Sequence, residues 1–207
     1  MVSIFPASSF VPVVLGFFGL GVGYLIYGPR ELLGYPAATP TWIAPMASGA
    51  CGWPASASSW WGLPVRRTDL VPRLHQQQGP LHGRLAFSAY GIHWFAMGWN
   101  RLQGADARPN GFMSIPFIII SVLGLTVFFR AGAWPVGLLF TGLALVYVAE
   151  FFASFKLGVR VGVDGRESTN MGEKALGLLH VVVGLWLMYL TVATTLDISS
   201  GYHLPGA

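Results

Sequence analysis

Residues 85–100 read Leu85-Ala-Phe-Ser-Ala-Tyr-Gly-Ile-His-Trp-Phe-Ala-Met-Gly-Trp-Asn100, with no charge between Arg84 and Arg101. Positions 86, 90, 93, 97 and 100 alternate steps of four and three, so on a helix they fall on one face. That face carries Tyr90, His93, Met97 and Asn100 in an otherwise apolar stretch. A polar group in hydrocarbon is costly unless it meets a partner or lines a water-filled path. Two readings stay open: a face lining a pore or substrate path, or a helix–helix contact in which Tyr90 and His93 bond to a neighbour.

Similar charge-free windows lie on either side. Residues 1–29 precede the first charge, Arg30; residues 109–129 lie between Arg108 and Arg130; residues 131–155 hold only Glu150; residues 175–196 lie between Lys174 and Asp197. A membrane span needs about 20 apolar residues. The 85–100 window is short, and Arg84 and Arg101 extend it by snorkelling to the interfaces. Residues 10–28 lack the basic start of a cleavable signal peptide and read as a first membrane helix. Composition agrees. Of 207 residues 54% are hydrophobic and only 10% charged, against a usual charged share of about 25%, and the mean hydropathy is +0.59. These values exclude a soluble enzyme, a disordered chain and a disulfide scaffold. The single cysteine, Cys51, leaves no internal disulfide and no CxxC site. The expected fold is all-α: a polytopic transmembrane helix bundle, one integral multi-pass domain over 1–207, with spans at about 10–28, 85–101, 110–129, 133–155 and 175–196.

Residues 32–65 are also charge-free and long enough to span, but they hold Pro36, Pro40, Pro45, Pro54 and Pro64. Proline inside a helix costs about 3 kcal/mol. The stretch reads either as a long loop or as a degenerate second span at about 41–63. Back-translating residues 64–72 and shifting the frame by one base permits Leu-Tyr-Val-Gly-Leu-Thr-Trp-Phe, a good membrane segment, so an out-of-frame second helix is one origin for it. Lysines and arginines divide nearly evenly between the two sides, and the positive-inside rule leaves the orientation open. The longest remaining polar connection runs from Lys156 to Lys174 and contains the turn Asp164-Gly165.

Several residues carry chemistry. Glu150 is the only acid within a predicted span, which makes it a candidate proton or cation site; Lys156, six residues on, favours a place near the interface. His93 and His180 lie on two different helices and could form a bis-histidine haem pair, whereas His75, His82 and His203 fall in connections or tails. Gly19 and Gly23 form a GxxxG pair suited to close helix packing. Trp94, Trp99 and Trp134 fit interfacial or packing roles. No nucleophilic triad, no carboxylate pair within a span, and no phosphate or dinucleotide loop is present. No enzyme, metal site, cofactor or nucleic-acid partner is expected.

At Ala86-Phe-Ser-Ala-Tyr-Gly-Ile-His-Trp94 the chain resembles the acetate uptake transporter family, also called the succinate–acetate permeases, whose third helix has a similar Ala-Phe-x-x-Tyr-Gly-x-x-Trp stretch. Val11-Pro12-Val13-Val14 through Phe18-Gly19 resembles the later part of that family's first-helix motif, without its Asn-Pro opening. The resemblance covers about two-thirds of the chain, and the family's second helix falls where this sequence is least helix-like. It implies six helices, assembly as a homo-hexamer in the cell membrane, and transport of acetate, succinate and similar small carboxylates, often coupled to protons. It also implies a narrow apolar point formed by Phe18, Tyr90 and an apolar residue near Leu143. The physics is compatible: Tyr90, Asn100 and Ser88 can donate to a carboxylate without a fixed charge that would trap it. His93 is a candidate proton carrier, because histidine ordinarily titrates near neutral pH, and Glu150 is a second. The competing class is a membrane anchor or haem-bearing subunit of an electron-transfer complex.

Overall fold

A computed structural model describes residues 11–34, 78–157, 159–161, 167–202 and 204. Among the described residues there are five helices: α1 (Val11–Leu33), α2 (Gln78–Leu102), α3 (Arg108–Arg130), α4 (Trp134–Ser154) and α5 (Met171–Ser200). The predicted spans at 10–28, 85–101, 110–129, 133–155 and 175–196 each fall on one of them. The degenerate span at 41–63 and the turn at Asp164 lie outside the described residues. Two points depart from expectation. The connection after α4 is not wholly irregular: β1 (Val159–Val161) pairs antiparallel with β2 (Glu167–Asn170), Val159 opposite Asn170 and Val161 opposite Glu167, with an irregularity between. And α2 begins at Gln78, so His82 is helical rather than in a connection. Polarity hid this start, because an end that projects beyond the apolar slab need not be apolar. Pro80 is tolerated there because a first turn lacks intrahelical partners for its N–H groups.

Local chemistry sets the helix ends. Pro109 and Pro135 open α3 and α4 in the first turn, where the missing N–H costs nothing. Asn170 caps α5, its side chain accepting from the N–H groups of Gly172 and Glu173. Gly132 stops α3 at φ 75°, and the N–H of Ala133 reaches back to the Phe128 carbonyl. The tight turn that results forces α4 antiparallel to α3.

Side-chain neighbours fix the direction of every helix. Tyr24 and Glu31 of α1 stand beside Trp94 and Arg101 of α2, in the same order, so α1 and α2 run parallel. Tyr90 meets Ser121 and Asn100 meets Asn110, so α3 returns antiparallel to α2. Phe112 meets Phe155 and Phe128 meets Phe140 across α3 and α4. α5 runs against both α4, with Val183 beside Gly142, and α1, with Val181 beside Gly28. Gly34 and Gln78 therefore lie at opposite ends of the bundle.

α1 and α5 approach most closely. A Cβ on Gly177 would meet Leu32 N and would lie 2.8 Å from the Gly28 carbonyl oxygen; one on Gly28 would lie 2.9 Å from Val181 N. Only glycine lets the two backbones come this near. Of the Gly19/Gly23 pair, Gly23 packs against α2, leaving room for the Trp94 ring 3.2 Å from where a Cβ would stand, and nothing lies within 4 Å of such a Cβ on Gly19.

The outer surface is apolar on every helix. Ile92, Phe95 and Trp99 of α2, Phe112 and Ile119 of α3, Leu145 of α4 and Val182 and Leu185 of α5 are among those exposed. In water such continuous apolar exposure would drive aggregation. In lipid it is the solvated face. α3, α4 and α5 are long and apolar enough to cross a membrane, and the chain reads as a membrane protein.

Candidate functional site

The interior is where the fold spends its polar groups. Toward the end that holds Gln78 and the α3–α4 turn, the core is mainly aliphatic and aromatic, with Phe17, Leu20, Leu139, Leu187 and Leu190 beside the buried Thr194. Toward the end that holds the β1–β2 ribbon, polar side chains from all five helices face inward.

The predicted face of α2 does point into the bundle. Tyr90, His93 and Met97 are buried, while Ile92, Phe95 and Trp99 on the other side are exposed. The Tyr90 hydroxyl lies 3.1 Å from Ser121 Oγ. Ser121 Oγ already gives its one proton to the Phe117 carbonyl at 2.7 Å, so in this pair Tyr90 donates and Ser121 accepts. The Tyr90 ring stacks on Tyr147, with centroids 5.8 Å apart, and lies against Phe117 and Phe140. One helical turn on, His93 Nε2 stands 3.3 Å from Glu150 Oε2; their side chains are 3% and 7% exposed. Phe117 and Tyr147 cover the His93 ring at 4.9 and 5.2 Å. Glu150 is four residues from the end of α4 and is turned inward. Distance along the helix set its depth, but the helix face decided its surroundings.

At the helix end, Asn100 is half-buried and donates its amide to Asn110 Oδ1 at 2.9 Å. Leu143 is buried in the same core as Tyr90. Phe18 is not brought to them within this chain: it is 38% exposed, and its neighbour Phe17 takes the core position. Ser88 lies in α2, with its side chain outside the described set.

Sequence reasoning missed a second polar centre. Glu31 of α1 is buried, accepts from Arg101 Nη2 at 2.9 Å and from His180 Nδ1 at 2.6 Å, and so ties α1, α2 and α5 together. Arg101 does not snorkel outward; its guanidinium sits over the Tyr27 ring at 4.3 Å. Glu31 and Arg101 looked like loop charges because each stands at the end of an apolar window. Their only sequence signal is that both close the ribbon-end turns of helices also carrying inward aromatics. Between the two centres, Tyr24 lies 4.5 Å from the His180 ring and 5.5 Å from Trp94. Trp94, expected at an interface or in packing, is wholly buried here.

As for haem, His93 and His180 are each engaged by a different carboxylate, with aromatic rings against their faces. Among the described residues no group of three or more His, Cys, Asp or Glu side chains is gathered as a metal site.

The arrangement defines a helical membrane protein whose interior holds two histidine–carboxylate pairs and a tyrosine between them. No family model, no curated protein and no solved structure matches this chain.

Proposed function

We propose that this chain carries acetate and similar small mono- or dicarboxylates across the cell membrane, as a six-helix protomer of a hexamer. The observation that carries the reading is the inward face of α2: Tyr90 hydrogen-bonded to Ser121 and His93 beside Glu150, both buried in an apolar bundle. Desolvating such groups is costly, and intramembrane ionisable residues mark substrate or ion pathways. Asn100 and Ser88 supply neutral donors, Tyr90 a third once its hydroxyl leaves Ser121, and Leu143 and the aromatic rings around Tyr90 form the narrow apolar point without Phe18, which faces outward. His93 and Glu150 are the proton-carrying pair. The six-helix count is supported by helix direction, because two successive parallel spans need an odd number of crossings between them.

Labelled acetate uptake into vesicles reconstituted with the purified chain tests the proposal. Uptake above that of protein-free vesicles is expected, and Tyr90→Ala is expected to change its rate or its selectivity between acetate and larger acids. Uptake equal to that of empty vesicles refutes transport, and an unchanged Tyr90→Ala refutes the path. A Soret band in the purified protein that is lost in His93→Ala or His180→Ala points instead to an electron-transfer membrane subunit.

A further inference from the structure

The Glu31 centre is not used by the path on α2, and its chemistry is specific. One carboxylate is held from two sides, by a guanidinium and an imidazole N–H. Arg101 gives Glu31 only Nη2, so most of the guanidinium's five N–H donors are not spent on it. Arg101 is also the accessible member: its side chain is 28% exposed, against 5% for Glu31 and for His180. It stands one residue before the end of α2, directly after Asn100 on the path face. Along α2 it lies nearer the ribbon end than His93 or Tyr90 does.

We propose that Arg101 is the entry site for the substrate's carboxylate, and that Glu31 is a tethered carboxylate holding that site until substrate displaces it. The inference rests on the transport reading above and adds where the carboxylate first binds and where the proton enters before it passes to the His93–Glu150 pair. The Arg101 and Glu31 charges cancel. An anion that takes Glu31's place on Arg101 leaves a second negative charge buried without its cation, which a low-dielectric interior does not tolerate. One proton must enter with each carboxylate. The proton is shared by the Glu31–His180 pair once the substrate has parted it from Arg101. Both leave again when Glu31 returns to Arg101, so each cycle moves one carboxylate and one proton and no net charge. The groups facing His180 are Glu31 and the Tyr24 ring from α1, and the Trp94 ring from α2. Arg101 of α2 reaches it through Glu31, while Glu173 of α5 and Glu150 of α4 act on the same centre from further out.

The experiment uses the purified full chain in vesicles, measuring acetate KM and the response of uptake to an imposed pH gradient and to a membrane potential. Glu31→Gln removes the competitor and is expected to lower KM about tenfold, the scale of one charged hydrogen bond. Its uptake should lose the response to the pH gradient and gain one to the membrane potential. Glu31→Asp, shorter by one methylene and still charged, should fall between the two if Glu31→Gln does not survive purification. Arg101→Gln should raise KM, and Arg101→Lys should restore part of the loss. The charge swap E31R/R101E separates binding from a mere clasp: a clasp works in either polarity, whereas an entry site needs its cation on α2. The inference is overturned if Glu31→Gln and Glu31→Asp keep the wild-type KM and pH-gradient response, or if the swap restores both. Where wild-type vesicles take up acetate, that result leaves the transport reading standing. Where they take up none, the reading fails and this inference with it.

Discussion

The His93–Glu150 pair permits a quantitative test that needs no substrate. The pair is buried against Phe117 and Tyr147, and among the described residues His93 Nδ1 has no hydrogen-bond partner. Replacing His93 by Ala leaves the Glu150 carboxylate without its partner in that setting. Breaking a buried pair from one side costs about 3–5 kcal/mol. At 2–4 °C per kcal/mol for a chain of this size, the midpoint of thermal unfolding should fall by about 6–20 °C. Replacing both partners, as in His93→Leu with Glu150→Leu, removes the charge and the desolvation cost together. That variant should recover to about the wild-type midpoint or above it. With the two single leucine variants completing the cycle, the coupling is then about the sum of their separate losses. The assay is the fraction of monodisperse protein left after heating in detergent, read by size-exclusion chromatography. If His93→Ala stays within about 2 °C of wild type, a shift that corresponds to less than about 1 kcal/mol, the pair is not buried as described. If the double variant is stable but takes up no acetate, the pair is retained for function rather than for folding.

Three further outcomes follow from the geometry. Gly177→Val places a side chain against the backbone of Leu32, Glu31 and Gly28, which cannot move aside as a side chain could; a loss of at least 1–3 kcal/mol, about the usual overpacking range, is expected, and an unchanged unfolding midpoint would remove the close α1–α5 contact. Single cysteines introduced at Gly34 and at Gln78 in a Cys51-free background should react with impermeant thiol reagents from opposite sides of the membrane, because α1 and α2 run parallel; labelling from the same side would contradict the helix directions. In the turn before α3, Asp106 accepts from the side chain and the backbone N–H of Arg108, and these bonds hold its carboxyl below its usual range. A depressed folded value means the link is complete above about pH 4 and is lost as pH falls through the lowered value. Exchange protection of the Arg108 amide should follow that titration, and its pH dependence should be absent in Asp106→Asn, whose amide oxygen still accepts but does not titrate.

The helices were legible in the sequence because lipid admits charge so reluctantly that charge-free windows trace the spans. The face of α2 was legible for a related reason: helical spacing puts Tyr90, His93 and Met97 on one side whatever the neighbours are. Periodicity says which residues share a face and nothing about what lies opposite. So Ser121 as the acceptor for Tyr90, Glu150 as the partner of His93, and the outward place of Phe18 emerged only from packing. The GxxxG spacing marked packing, which Gly23 provides against Trp94, but not where the backbones come closest: that depends on which face of α1 meets α5, and that face carries Gly21 and Gly28.

Composition and spacing alone therefore determined that this is a helical membrane protein with a polar stripe on α2, since both follow from the cost of polar groups in hydrocarbon and the pitch of the helix. Only the tertiary structure decided that Glu31, Arg101 and His180 belong together. The three lie on helices up to 149 residues apart, and in sequence two of them sit where ordinary loop charges sit. What makes them one centre is burial, and burial is a property of how helices pack, not of any one of them.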